Sequence, residues 1–250
     1  MLYGRELLLH GEKRNAVLDL PEIHRFGIDS YGDPNYVSIY GLQPAQWHAR
    51  GIRLLGRTAV ECTRDDLASA IGRDVAALAF DSAHALVVDP FAGSGNTLYW
   101  LLHHLPGAQG LGFELDVRVF ELTRRNLSIV GLPIEVLNVD YVAGLSQIHT
   151  APGNLLVVFV APPWGTALDP IRGLDLRRTE PSIIQIVDKL LRDFAHCSLL
   201  CAIQIYETVL PEPLTELQAR FEWRTLRMYR LNAPGQNHGI MLGTNSWKPA

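Results

Sequence analysis

The chain of 250 residues is long enough for one sizeable hydrophobic core, and its hydrophobic fraction of 48% is typical of a globular protein. Its net charge of −4 argues against binding long nucleic acid through many phosphates, so any nucleic-acid contact is expected to be local, or the substrate small. The sequence has no apolar run long enough to span a membrane. Its three cysteines form no C-x-x-C pair, which argues against a disulfide scaffold or a structural zinc site and favours a location in the reducing cytoplasm.

The first part of the chain is expected to be an N-terminal extension. Residues 1–45 are rich in Gly, Pro and Tyr and are expected to be irregular or short β structure, and residues 46–57 a short helix or turn. A helix should follow, with a capping box in which Thr63 accepts from the amide of Asp66 and Asp66 reaches back. We predict that residues 1–60 decorate the substrate side of a catalytic domain formed by residues 61–250.

From residue 85 onward, apolar strand-like runs alternate with amphipathic helices. Fully apolar strands joined by helices predict a parallel sheet covered on both faces, and two final strands separated by a short turn predict an antiparallel edge hairpin. The fold class is therefore α/β: a Rossmann-like, doubly wound, mostly parallel sheet. The predicted strands are 85–89, 110–115, 134–140, 155–160, 198–206, 223–231 and 239–243, and the helices between them are 95–105, 117–131, 180–196 and 212–221.

A glycine loop and three acidic residues follow the first three predicted strands. Gly93 and Gly95 in "VVDPFAGSGNT" allow a tight turn and close approach of a ligand. Asp89 precedes them and can bind an ammonium group, Glu114 can accept both hydroxyls of a ribose, and Asp140 can accept from an adenine amino group. The loop matches neither the dinucleotide fingerprint nor the P-loop. S-adenosylmethionine has an amine, a ribose and an adenine, so this pattern resembles the Rossmann-like class I methyltransferases.

The fourth predicted strand ends in "APPWG", residues 161–165. Two prolines fix the backbone and remove N–H donors, so the turn presents carbonyl oxygens in a set direction, and Trp164 offers a face to a planar base. An exocyclic amine of a nucleobase is a poor nucleophile, because its lone pair is delocalised into the ring. Its methylation therefore needs both the carbonyl acceptors and the stacking face. Carbonyl acceptors can hold its protons while stacking orients it, and no metal or covalent nucleophile is required.

These motifs resemble the trimethylguanosine synthase family, which methylates guanine N2 of RNA caps. That family reads D-x-F-x-G-x-G-G-N-T after its first strand and S-P-P-W-G-G after its fourth. The resemblance implies the following roles. The catalytic turn would consist of Ala161, Pro162, Pro163 and Trp164, and the cofactor would be held by Asp89, Phe91, Gly93, Gly95, Asn96, Thr97, Glu114, Asp140, Tyr141 and Thr63. The acceptor would contact Trp164 and Gly165.

The chain also departs from that family. Ala161 replaces the polar first residue of the motif, Thr166 replaces the second glycine, and the family's basic RNA-binding extension is missing. Arg172 and Arg177 are candidates to contact a phosphate near the base, with a solvated loop surface as the alternative. Arg50 is a candidate to close over the acceptor, with ordinary packing or surface as the alternative. Our prediction is a cytoplasmic N-methyltransferase for a guanine-like amino group in RNA or a nucleotide. A small heteroaromatic substrate, or a non-catalytic binding module, are the alternatives.

Overall fold

The β-α alternation forms a mixed, mostly parallel sheet with an antiparallel edge, as predicted. The computed structural model describes residues 3–79, 84–169, 171–230, 237–245 and 247–248. The strands in these ranges are β1 Leu86–Asp89, β2 Gln109–Phe113, β3 Ile134–Leu137, β4 Leu155–Val160, β5 Leu168–Asp169, β6 Gly173–Leu174, β7 Ser198–Tyr206, β8 Trp223–Tyr229 and β9 His238–Asn245. Seven of them form one sheet in the order β3-β2-β1-β4-β7-β9-β8. The first five strands in that order are parallel, while β9 runs antiparallel to both β7 and β8.

Helices cover both faces of the sheet, and others precede it. Those that precede β1 are α1 Arg5–Leu9, α2 Leu20–Tyr31, α3 Pro44–Ala49, α4 Gly56–Glu61 and α5 Asp65–Ala76. Those between the strands are α6 Asn96–His104, α7 Val117–Val130, α8 Tyr141–Ser146, α9 Ile183–Asp193 and α10 Pro211–Gln218. Within the described ranges, no helix has both the length and the apolar character needed to cross a membrane.

Strand β4 shows how the sheet separates two cores. All six of its residues are buried. Leu156, Val158 and Val160 pack into the core that contains α9, and the alternate residues Leu155, Val157 and Phe159 pack into the core that contains α5 and α6. Because side chains alternate along a strand, a fully apolar run must be covered on both faces, as the sequence predicts.

The N-terminal residues form a third core against the outer part of the sheet. Phe26 and Trp47 are fully buried there, together with Leu127 of α7 and Val136 of β3. The expectation of irregular or β structure for residues 1–45 is wrong, because α2 has twelve residues and a capping box between Asp19 and Glu22. The apolar spacing of that segment is helical, but its glycines, prolines and tyrosines masked it. The boundary at residue 60 stays a prediction.

Smaller corrections concern local elements. The capping box predicted at Thr63 is absent: α5 begins at Asp65, and the Thr63 hydroxyl donates instead to Gln204 Oε1 at 3.2 Å. Helix α8 and the β5–β6 hairpin are not predicted from the sequence, because they are too short to show a hydrophobic periodicity. The turn expected before β9 falls mainly on residues 231–236, which lie outside the described residues.

Candidate functional site

The parallel order brings the predicted acids and the Pro-Pro-Trp turn to one edge of the sheet. Asp89 is the last residue of β1, Glu114 directly follows β2, and Asp140 follows β3 after a short bend. The turn that begins at Ala161 leaves β4, the other neighbour of β1. The carboxyl edge of such a sheet, where the strand order reverses, is the usual ligand site of this architecture.

Asp89 is a buried carboxylate at the centre of this edge. Its side chain is 2% exposed, and its Oδ1 accepts the amide of Phe91 at 3.0 Å. Burial raises its pKa to about 7, against the opposing effect of that amide, and the neighbouring charge of Glu114 contributes to the increase. Among the described residues, no group donates a hydrogen bond to the second oxygen, Oδ2. A buried acid with one free oxygen is suited to pair with a cationic ligand group.

We expect Asp89 to make the stability of the ligand-free protein depend on pH. Because its pKa is higher in the folded state than its ordinary value of 3.8, the stability it contributes at low pH is lost as the pH rises through about 7. Asp89→Asn removes this titration but keeps an acceptor for the Phe91 amide. The free energy of unfolding of both proteins can be measured with urea. The difference between Asp89→Asn and wild type should be more favourable to the variant at about pH 8 than at about pH 5. An equal difference at both pH values would contradict the raised pKa.

The glycine loop is held in place by hydrogen bonds to β2 and α7. Gly93 and Gly95 both have positive φ, at 50° and 73°. The amide of Gly93 donates to Glu114 Oε2 at 3.1 Å, and the hydroxyl of Thr123 donates to the Gly93 carbonyl at 2.5 Å. A Cβ added at Gly93 would meet nothing closer than the Phe91 carbonyl at 3.8 Å, so the loop leaves open space in front of this residue.

Glu114 shares its carboxylate between the loop and the next helix. Oε2 accepts from Gly93, and Oε1 accepts the amide of Asp116 at 2.8 Å. Burial raises its pKa, while these two amides act in the opposite direction. Each oxygen retains a second lone pair, so the carboxylate can still accept from ligand hydroxyls.

Asp140 caps the start of helix α8. Its Oδ1 accepts the amides of Val142 at 2.8 Å and Ala143 at 3.1 Å, at the start of α8. Tyr141 faces Phe91 with ring centroids 5.4 Å apart. The two rings therefore line the edge between the loops that follow β1 and β3.

Asn96 and its neighbours connect the site to the N-terminal extension. Asn96 is buried, its Oδ1 accepts the amide of Tyr40 at 2.7 Å, and its Nδ2 donates to the carbonyl of Thr63 at 2.7 Å. The Tyr40 hydroxyl donates to the carbonyl of Ser94 inside the glycine loop. Thr97 is buried in the first turn of α6. The Asn96 side chain is thus used by the protein itself, to fix the start of α6.

The turn after β4 places Trp164 beside two aromatic residues, His238 and Tyr206, that no sequence motif indicates. Pro162 is buried, Pro163 and Gly165 are exposed, and Ala161 and Trp164 are half-buried. The indole stacks on the ring of His238, with centroids 5.4 Å apart and planes 22° apart, and meets Tyr206 edge-on at 6.0 Å. Among the described residues, no N–H group donates to the Pro162 carbonyl, and Trp164 Nε1 is buried without a hydrogen-bond partner.

The three candidate arginines lie in separate segments of the chain. Arg50 directly follows α3, and Arg172 lies between β5 and β6 with an exposed side chain. Arg177 pairs with Glu216 of α10 at 2.7 Å. Burial lowers the pKa of His238 to about 4, and the charges of Arg64 and Arg5 act in the same direction.

The described residues contain no group of three His, Cys, Asp or Glu side chains placed to hold a metal ion. No protein-family model matches the chain, and neither does any curated protein.

Solved methyltransferases share the fold. A METTL16 methyltransferase domain aligns with a TM-score of 0.50 and 14% identity over 72% of this chain and 80% of that one. A Klebsiella pneumoniae protein named as an O-methyltransferase aligns with a TM-score of 0.50 and 12% identity over 80% and 86% of the two chains. Identities this low establish the fold alone, which is the Rossmann-like fold of the class I methyltransferases.

Proposed function

We propose that the protein is a methyltransferase that uses S-adenosylmethionine to methylate an exocyclic amino group of a guanine-like base, in RNA or in a nucleotide. One arrangement carries this proposal: the buried Asp89 and the Pro162 carbonyl, neither fully hydrogen-bonded within the described protein, leave adjacent strands at the carboxyl edge of the sheet. The first is suited to an ammonium group and the second to an amine donor.

The residues of the edge fit this cosubstrate. Asp89 would pair with the ammonium group beside the open space at Gly93, Glu114 would accept from the ribose hydroxyls, and Asp140 would accept from the adenine amine near Tyr141 and Phe91. When bound, S-adenosylmethionine supplies a methyl group on a positively charged sulfur. The remaining described side chains at the edge would orient the acceptor and hold its protons.

The turn after β4 would orient the acceptor amine. The Pro162 carbonyl would accept a hydrogen bond from one amine N–H, which directs the nitrogen lone pair, and Trp164 would fix the plane of the base. Because His238 already covers one face of the indole, the base would stack on the other face. Ala161 offers no side-chain acceptor, so backbone carbonyls would perform this role alone. Positioning of this kind can supply up to ~7–11 kcal/mol of the barrier reduction.

The experiment that tests the proposal follows a labelled methyl group. Protein incubated with methyl-labelled S-adenosylmethionine should transfer the label to total RNA or to a purine nucleotide pool, and not to duplex DNA. Boiled protein and the Asp89→Asn variant serve as controls. Cosubstrate binding without transfer to any pool would contradict the enzyme proposal and support a non-catalytic binding module.

A small heteroaromatic acceptor is the second candidate, favoured by the net charge of −4. The two candidates differ in their response to salt. RNA held by phosphate contacts should dissociate as salt rises, since each neutralised phosphate releases counterions, whereas turnover of a small neutral acceptor should change little. Absence of RNA binding at low salt, with label in the small-molecule extract, would select the second candidate.

A further inference from the structure

The outward face of α6 carries four aromatic rings, and no step proposed above uses them. They belong to Tyr99, Trp100, His103 and His104 and are called the α6 aromatic face below. The inward residues Leu98, Leu101 and Leu102 are buried in the core that contains α5. His103 is exposed, and the other three rings are half-buried. Outward positions of a surface helix are usually charged or polar, so four rings at these positions are suited to contact a partner.

The rings form two rows along the helix. Tyr99 and His103 are nearly parallel, with planes 11° apart and centroids separated by 6.3 Å. Trp100 and His104 have planes 25° apart and centroids separated by 5.9 Å. Trp100 Nε1 also donates to Asp65 Oδ1 at 2.6 Å, which holds the indole in place. A surface that is already ordered in this way loses little side-chain entropy when it binds a ligand.

Three arginines with exposed side chains flank this face. Arg73 lies beside one end, because a Cβ added to the preceding glycine would meet His104 Cδ2 at 2.7 Å. Arg50 and Arg125 lie close to each other, since a Cβ added to the glycine after Arg50 would meet Arg125 Nη2 at 4.0 Å. Burial raises the pKa of Tyr99, and the charge of Arg50 acts in the opposite direction. The aromatic face thus has positive charge beside both of its ends.

Rings between arginines match the chemistry of a single-stranded nucleic acid. Every base has a π-face that can stack on an aromatic ring, and every phosphate can pair with a guanidinium group. The dimensions also favour this ligand over a protein. α6 has nine residues and is about 13 Å long, whereas a stable protein interface needs about 800 Å² on each partner. A few stacked bases need only a strip of this width.

We propose that the α6 aromatic face binds a single-stranded segment of the RNA that carries the methyl acceptor, with bases stacked on the rings and phosphates paired with Arg50, Arg73 and Arg125. α6 begins directly after the glycine loop, so its first turn lies at the carboxyl edge of the sheet. The inference deepens the function proposed above, because it names RNA and not a free nucleotide as the substrate class. It rests on that function only in treating the bound strand as the substrate.

The first test measures the salt dependence of RNA binding by fluorescence anisotropy. The probe is a labelled oligouridine of about 12 nucleotides, within the usual site size of single-strand binding proteins. Each phosphate contact with a single strand contributes about −0.7 to the slope of log K against log salt. Arg50→Ala/Arg73→Ala should therefore weaken binding and make the slope shallower by about 1.4. The control Arg192→Ala, on α9 at the other face of the sheet, should change neither quantity.

The second test separates stacking from charge at the exposed ring of His103. His103→Ala should weaken oligouridine binding by about fivefold or more, whereas His103→Phe keeps a ring and should bind about as tightly as wild type. Duplex RNA of the same length should bind more weakly, because its bases are already stacked inside the helix. A slope unchanged in the arginine variant, or an affinity unchanged in His103→Ala, would overturn the inference.

Binding and methyl transfer are measured separately, so the two proposals can fail separately. Wild-type protein that binds oligouridine through this face but transfers no methyl group would overturn the proposed function and still support the RNA-binding face. Wild-type protein that methylates a free purine nucleotide but binds no RNA at low salt would overturn the inference alone. The face would then be left to a protein partner.

Discussion

Replacement of Asp89 by asparagine is expected to abolish measurable S-adenosylmethionine binding. The change is nearly isosteric and keeps the acceptor for the Phe91 amide, so the fold of the loop should persist. It removes the charge that would pair with the ammonium group. Breaking a buried charge pair from one side costs about 3–5 kcal/mol, which corresponds to a loss of affinity of more than about 100-fold. Isothermal titration calorimetry measures the effect.

Two controls separate binding from folding in that experiment. Circular dichroism and the unfolding midpoint of ligand-free Asp89→Asn should match or exceed those of wild type near neutral pH, because the variant no longer buries a charge. Asp193→Asn removes a carboxylate that pairs with Lys189 on the surface of α9 and should leave cosubstrate affinity unchanged. Normal affinity in Asp89→Asn would refute its assignment to the ammonium group.

Replacement of Trp164 by alanine is expected to abolish most methyl transfer while sparing cosubstrate binding. Stacking between a base and an aromatic ring contributes about 1–3 kcal/mol, and a misplacement of the reacting groups by about 1 Å can cost a further 10²-fold. We therefore expect kcat/KM to fall about 100-fold or more, with the Kd of S-adenosylmethionine within about threefold of wild type. Trp164 contacts the rings of Tyr206 and His238, so the alanine replacement also removes the stacking contact of the His238 imidazole.

The matched control for this position is Trp164→Phe. Phenylalanine retains a flat face for the base and for His238, and it should retain most of the turnover that alanine loses. The half-buried aromatic residue Tyr31, which stacks on Tyr36 in the N-terminal extension, offers a comparison, since Tyr31→Ala should leave the cosubstrate Kd unchanged. Unchanged turnover in Trp164→Ala would contradict the stacking role.

The sheet could be predicted from sequence because its strands are short, apolar and separated by regular helices. β4 has six buried residues, which only a two-sided core explains, and Gly131 ends α7 with φ of 75° as expected of a C-cap. The N-terminal helices could not be predicted in the same way. α2 is buried by Leu127 and Val136, which belong to distant elements, so its composition alone was misleading.

The position of Asp89, Glu114 and Trp164 at one edge of the sheet could be predicted from the sequence, and their roles stay predictions. Asp89 ends a recognisable strand, and Glu114 and Trp164 each follow another, so their common edge follows from a parallel sheet. His238 and Tyr206 meet Trp164 only because β9 returns antiparallel beside β7, with Tyr206 paired to His238. In the sequence, His238 stands in a polar segment that is typical of a turn, and no local pattern distinguishes it.

The position of the transferred methyl group is the sharpest test of whether the protein methylates an exocyclic amino group of a purine. After incubation with trideuteromethyl S-adenosylmethionine, the labelled product should be isolated, hydrolysed to its base and analysed by fragmentation mass spectrometry. We expect the label on the exocyclic nitrogen of a purine base, and its loss when Trp164 is replaced by alanine. A label on oxygen or on carbon, or on a product with no ring amine, would contradict it.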